Sequence, residues 1–295
     1  MISTYLMGGL GNQLFQIFTA LSVSINNSIQ VQFTYSTELL IGTHRPTYWD
    51  TLLSELKKYT TFVENELITT NLNNDKLLKS SIIKEIGFEH RPIILPNDCI
   101  KKNYMLYGYY QSYKYFENNF KNLCDLIDLN GKQKFIKEKC ENLLIQTQTP
   151  LISMHFRIGD YINIQNNYNL LSVKYYANAI KQIVKNIGSD NIRILYFYET
   201  KDVISVNISI SVLKRMFPNI EFISVDNSLT DWEQMLLMSV CDHNIIANST
   251  YSWWGAYFNQ SECKCVVYPS KWFGPNLANH NLIDLFPPSW TKIEI

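Results

Sequence analysis

The spacing of apolar positions divides this chain into a readable start, an irregular middle and a regular second half. Residues 2–7, Ile-Ser-Thr-Tyr-Leu-Met, are short, β-prone and followed at once by glycines, which predicts a strand ending there. Leu14, Phe15, Ile17, Phe18, Leu21 and Ile25 then recur close to helical spacing, and Ile29 to Tyr35 reads as a second strand. In the middle, Tyr48 to Tyr59 and Phe116 to Leu129 read as helical, and the polar run Thr69 to Lys76 as an exposed loop. After Pro150 a strand at 151–157 leads to a helix at 173–187. Val173, Tyr176, Ala177, Ile180, Ile183, Val184 and Ile187 share one face of that helix, and Gly188 stops it. Strand Ile192 to Tyr198, a helix ending near Phe217, strand Ile220 to Val225 and a helix from Asp231 follow. Strand His243 to Asn248 delivers Ser249 and Thr250 to another helix start, and strand Cys265 to Tyr268 precedes a Pro-rich tail with Trp272 and Trp290.

Strands alternating with helices predict a parallel, doubly wound sheet. With a second β-loop-α-β start at residue 2, the expected fold class is α/β, two Rossmann-like halves facing a cleft. The expected domains are residues 1–149 and 150–295. A length of 295 residues agrees with about two domains.

Charge narrows the partners. Lys+Arg and Asp+Glu both number 26, and no basic stripe is evident, which argues against a nucleic-acid partner. Any phosphate ligand must therefore be held by a few well-placed groups. The cysteines at 99, 124, 140, 241, 263 and 265 lack Cys-x-x-Cys pairing and a nearby His-x-x-x-His, so free thiols are expected and a zinc site is not. His44, His90, His243 and His280 have no ligand-spaced partners. With no basic residue before Gly8 and no run of about eighteen apolar residues, the expectation is a cytoplasmic protein without a membrane anchor. On that expectation the Asn-x-Ser/Thr sequons carry no glycan.

Three strand-to-helix junctions carry phosphate-friendly groups: Gly8-Gly9-Leu10-Gly11-Asn12-Gln13, His155-Phe156-Arg157-Ile158-Gly159-Asp160-Tyr161, and Asn248-Ser249-Thr250-Tyr251-Ser252-Trp253-Trp254-Gly255. Ligands of open α/β sheets bind outside the carboxyl ends of the strands. Helix starts present free N–H groups to anions. Arg157 adds a permanent, planar, donor-rich cation suited to a pyrophosphate. Each junction also has a plainer reading. Arg157 can pair with Asp160, the glycine turn can simply pack helix on strand, and Ser249 and Thr250 can cap a helix. The glycine pattern lacks the third glycine of the dinucleotide fingerprint, and Walker, Gly-x-Ser-x-Gly and Asp-x-Asp signatures are absent.

Together and in this order, the three stretches resemble the alpha-1,2-fucosyltransferase family, inverting enzymes that use GDP-fucose, from residue 7 to about residue 273. The resemblance implies the GT-B arrangement of two Rossmann-like halves, with the acceptor on the first and the GDP-sugar on the second. It implies transfer of L-fucose from GDP-fucose to a sugar hydroxyl, such as the 2-hydroxyl of a terminal galactose, with neither cofactor nor metal. The donor contacts it implies are Gly9, Gly11, Asn12, His155, Arg157, Glu233, Asn248, Ser249, Thr250 and Ser252. Arg157 is the main donor to the leaving diphosphate. Asp160 is either the general base or only orients Arg157. Some relatives carry a glutamate eight residues after the arginine, where this chain has Gln165.

Glu233 is the carboxylate expected at the nucleotide base, with helix capping as its plainer role and Gln234 where many members have an acid. The tyrosines from 104 to 115, including Tyr107, Tyr109, Tyr110 and Tyr113, suit either an acceptor surface or a core, with core favoured. Trp253 and Trp254 are expected to fix the turn by packing. Rival readings are another nucleotide-sugar donor, a protein hydroxyl as acceptor, and a non-catalytic sugar-binding module. Oligomeric state is left open.

Overall fold

The computed structural model describes residues 1–39, 44–62, 80–96, 99–144, 149–225 and 228–295, so the run Thr69 to Lys76 lies outside the described residues. The chain forms two compact units, Met1–Gly131 with His280–Pro287, and Lys132–Asn279 with Pro288–Ile295. Each is α/β with a parallel sheet.

In the first unit β1 (Ile2–Thr4) leads through the glycine turn into α1 (Leu10–Asn27), and β2 (Ser81–Lys84) and β3 (Tyr104–Tyr107) complete the sheet in the order β1-β3-β2. Gly8 takes φ 76°, a left-handed conformation that glycine adopts without strain, and Gly9 caps the helix. Leu14, Phe15, Ile17, Phe18 and Leu21 are buried as their spacing predicts. The stretch from Ile29 to Tyr35 pairs only at Val31 with Ile2 and at Phe33 with Thr60, in isolated bridges rather than a continuous strand. Tyr48 to Tyr59 resolves into turns and a 3-10 helix, Ser54–Tyr59.

The helix expected from Phe116 to Leu129 is broken. A 3-10 turn precedes α2 (Phe120–Leu126), and Asp128 at φ 50° turns the chain into α3 (Leu129–Lys139). The boundary between the units falls inside α3, where no linker composition marks it. Tyr104, Tyr110 and Tyr113 are core, and Tyr107 is exposed.

The second unit follows the regular pattern. It contains β4 (Leu151–His155), α4 (Val173–Ile187), β5 (Arg193–Phe197), α5 (Val203–Met216), β6 (Glu221–Ser224), α6 (Asp231–Ser239), β7 (His243–Ile245), α7 (Thr250–Tyr257), β8 (Val266–Pro269) and β9 (Thr291–Ile293). On α4 the inward face buries Tyr176, Ala177, Ile180 and Ile183 against Ile152, Met154 and Ile194. Each large apolar side chain so buried contributes roughly 1.5–3 kcal/mol. Gly188 ends the helix at φ 77°, with its N–H returned to the Val184 carbonyl.

All neighbours in this sheet are parallel, and the order is β6-β5-β4-β7-β8-β9. From β4 the chain winds outward through β5 and β6, then returns to β7 and winds the other way. That is the order of a dinucleotide-binding Rossmann sheet, and the reversal lies between β4 and β7. The expected arginine and serine junctions follow these two strands.

Candidate active site

Arg157 lies two residues past β4. The Phe156 N–H donates to the Phe197 carbonyl at 2.8 Å, extending the β4–β5 ladder to its last rung and setting the guanidinium beside the chain that leaves β5. There Nη1 donates to the Glu199 carboxylate, and Nη2 donates to Asp160 Oδ1 at 2.5 Å. The guanidinium carbon lies 4.9 Å from the centre of the Tyr161 ring, and the Tyr161 hydroxyl donates to the Asn248 carbonyl at 3.2 Å. This tyrosine ties the β4 loop to the β7 loop. Burial disfavours the guanidinium charge, but Tyr161, Glu199 and Asp160 outweigh it and hold the group above its ordinary range. The salt bridge with Asp160 is present, together with a second carboxylate. A guanidinium carries five N–H donors, so two pairings leave donors for a ligand.

His155 ends β4 and is 6% exposed. Burial, and then the charge of Arg157, push its pKa down to about 3, so the imidazole is neutral near pH 7. Its ring lies 5.3 Å from that of Tyr251, and its Nδ1 is buried without a hydrogen-bond partner. Asn248 donates from Nδ2 to the carbonyls of Asn169 (2.9 Å) and Trp272 (3.0 Å), while its Oδ1 is also buried without a partner. Buried polar atoms ordinarily meet protein, ligand or ordered water. Two such atoms therefore sit where β4 and β7 give way to their loops.

Ser249 is the N-cap of α7, its hydroxyl accepting from the Tyr251 N–H at 3.3 Å, and Thr250 opens the helix. Ser252, expected among the donor contacts, lies inside the turn that opens α7. It is 1% exposed and spends its hydroxyl inside the turn, accepting from Ala247 N–H at 3.2 Å and donating to the Ser249 carbonyl at 3.3 Å. Trp253 and Trp254 are fully buried, Trp253 stacking on Tyr257 and Trp254 packing on Phe258, as expected of residues that fix the turn.

Glu233, expected at the nucleotide base, shows the capping role weighed beside it. Its Oε2 accepts from the Thr230 N–H (2.9 Å) and hydroxyl (3.0 Å), and its Oε1 accepts from Lys139 Nζ at 2.6 Å. Both oxygens are engaged, one in a capping box and one in an ion pair, which is a structural role.

Gly9, Gly11 and Asn12 belong to the first unit, at the carboxyl end of β1. Nothing lies within 4 Å of where a Cβ on Gly9 would sit, and Gly11 is buried in α1. Asn12 Oδ1 accepts from Gln111 Nε2 at 3.0 Å. Gln16 braces the turn, accepting from Met7 N–H at 3.0 Å and donating to the Gly108 carbonyl at 2.9 Å. The packing role weighed for this turn is thus present in the structure.

Sequence reading missed Glu199, although it follows a predicted strand end just as Arg157 does. It also missed Gly274, where a Cβ would lie 2.4 Å from the Gln165 carbonyl oxygen and 2.6 Å from that of Asn166. Only glycine lets the β8 loop press on the β4 loop so closely.

The family model described as Glycosyl transferase family 11 matches residues 1–294. The chain belongs to glycosyl transferase family 11. It is 29% identical to the O-antigen biosynthesis glycosyltransferase WbnK of Escherichia coli, over 98% of this chain and 99% of that protein. It is 26% identical to an alpha-1,2-colitosyltransferase of the same organism, over 98% and 97%. A Caenorhabditis elegans protein described as a candidate galactoside 2-alpha-L-fucosyltransferase, svh-11, is 27% identical over 63% of this chain and 51% of its own length.

This family 11 member is therefore a glycosyltransferase related to alpha-1,2-fucosyl- and colitosyltransferases, and the family implies a nucleotide-sugar donor and a glycan acceptor. Among its described residues no three His, Cys, Asp or Glu side chains are grouped to hold a metal ion. No described helix is long and apolar enough to cross a membrane.

Proposed function

We propose that this family 11 enzyme transfers L-fucose from GDP-fucose to the 2-hydroxyl of a terminal galactose or a similar sugar, with inversion and without a metal. The observation that carries the reading is the switch point of the second unit. Arg157 after β4 and the N-terminus of α7 after β7 flank it, and the buried Nδ1 of His155 and Oδ1 of Asn248 are unspent there. Negative charge grows on the diphosphate as the glycosidic bond breaks, so donors fixed in advance lower the barrier without reorganising. Arg157 supplies the charge a divalent ion would otherwise bring. Ser249 as the N-cap and Thr250 as the first helical residue bring the start of α7, whose dipole favours an anion, to the end of β7. Asp160, next to Arg157, takes the acceptor proton or only orients the arginine.

A second donor is favoured by one specific finding, the 26% identity to an alpha-1,2-colitosyltransferase across nearly the whole chain. The reading is tested by incubating the enzyme with GDP-fucose, or with GDP-linked colitose, in excess EDTA. Galactose-terminated and other sugar acceptors are offered, and the product linkage is determined by NMR. An α-1,2-linked fucoside is expected. Transfer of colitose alone selects the second donor. Activity lost in EDTA and restored by magnesium or manganese refutes metal independence.

A further inference from the structure

The loop after β5 attaches to the Arg157 turn at two points and braces one of them from within. Glu199, two residues past the strand, takes Nη1 of the guanidinium. Lys201 lies 2.7 Å from the other oxygen of Glu199. Asp202, 5% exposed, accepts the Gly159 N–H at 2.8 Å and so pins the turn that follows the arginine. Gly159 itself adopts φ 36°, and a Cβ there would lie 3.0–3.3 Å from the carboxylate of Glu199. The chain thus leaves room at Gly159 for the carboxylate to reach Arg157. Asp160, the other partner of the guanidinium, sits on the same turn as the arginine and moves with it. Glu199 comes from a different strand end and gives an external reference.

We propose that Glu199 is a positioning residue for sugar transfer. It holds Nη1 of Arg157, Lys201 steadies it, and the remaining guanidinium donors are thereby aimed at the leaving diphosphate. This rests on the reading of Arg157 as the diphosphate donor. A guanidinium free to swing would still attract a diphosphate, but its donors would not meet the oxygens where charge develops. A misplacement of about 1 Å can cost roughly 10²-fold in rate. The loss should therefore appear in turnover more than in binding. The opposing possibility is that Glu199 competes with the diphosphate and acts as a brake. The two make opposite predictions for the same substitution.

Glu199→Gln keeps the shape and an acceptor oxygen and removes the charge. Wild-type GDP binding is measured first by calorimetry, because a wild type that binds no GDP refutes the reading of Arg157 and this proposal with it. Given binding, four quantities are compared between wild type and variant: kcat, the acceptor KM, the melting temperature and the 31P resonance of the β-phosphorus of bound GDP. The expected result is kcat lower by roughly 10²-fold, an unchanged acceptor KM, a melting temperature lower by no more than about 2–4 °C, and a shifted β-phosphorus resonance. Glu199→Asp should recover part of the rate that Glu199→Ala loses. Wild-type turnover, or tighter GDP binding with faster turnover, overturns the clamp while leaving the proposed function standing. Should Glu199→Gln fail to fold, Lys201→Met decides, with a severalfold drop in kcat expected and an unchanged kcat refuting the proposal.

Discussion

Replacing Arg157 with lysine keeps one positive charge and removes the planar fork, and the structure gives separate magnitudes for the two consequences. In the resting protein the guanidinium bridges Glu199 and Asp160, whose side chains are 40% and 48% exposed. A lysine ammonium is a point charge that cannot span two carboxylates in the same way. Pairs this exposed are worth about 0.2–1 kcal/mol, so the variant should lose on the order of 1 kcal/mol of stability. In the reaction, an aimed donor opposite a developing oxyanion is worth about 10²–10³ in turnover, or roughly 2.7–4 kcal/mol. The catalytic loss should exceed the stability loss severalfold. Turnover with saturating GDP-fucose and acceptor, set beside urea unfolding of the same preparation, measures both. A rate within about tenfold of wild type with a stability loss of several kcal/mol would make Arg157 a structural residue and remove it from the mechanism.

Glu233→Gln should lower stability by about 1–3 kcal/mol, since hydrogen bonds to a charged group are lost, and leave GDP affinity nearly unchanged. A tenfold weaker GDP affinity in the folded variant would return the carboxylate to the nucleotide base. For His155 the folded pKa lies below the unfolded value of about 6.5, so the unfolded chain takes the proton first. The associated stability is fully present above about pH 6.5 and is lost as pH falls toward about 3, by up to about 1.4 kcal/mol per pH unit. His155→Gln should flatten the fall in unfolding free energy between about pH 6.5 and 5. A slope identical to wild type would show that the imidazole is not buried neutral.

What was legible in the sequence was whatever depends on near neighbours. The face of α4 and its glycine stop, the strand at Leu151 and the start of α6 at Asp231 all follow from local spacing and capping, and they sit where predicted. The capping role of Glu233 was also locally written, because Thr230-x-x-Glu233 is a capping box. Partnerships across the chain were not legible. The pairing of β4 with β7, which creates the switch point, joins segments about ninety residues apart, and no periodicity encodes it. Strand β9 has three residues in a Pro-rich tail, and β2 is a largely exposed edge strand, so neither shows the apolar run of a central strand. Glu199 and Arg157 are 42 residues apart and meet only because β4 and β5 pair in register.

Net charge gives this site little hold on a diphosphate. The protein as a whole carries no formal net charge. Around Arg157 the two cations Arg157 and Lys201 alternate in ion pairs with Asp160 and Glu199, and Asp202 on the Gly159 N–H adds a third carboxylate. An anion approaching that group meets almost no excess positive field, so long-range attraction cannot be the main source of affinity. What the structure offers instead is direction. Phe156 is laddered to Phe197, Gly159 is pinned by Asp202 and Tyr161 is tied to Asn248, so the loop bearing the arginine is fixed from both neighbouring strand ends. A cation arranged this way loses little entropy when a ligand arrives, and its free donors are already oriented. On the proposed function, that is why an arginine suits the position better than a lysine, and how the carboxylates beside it would serve recognition of a negative group despite their own charge.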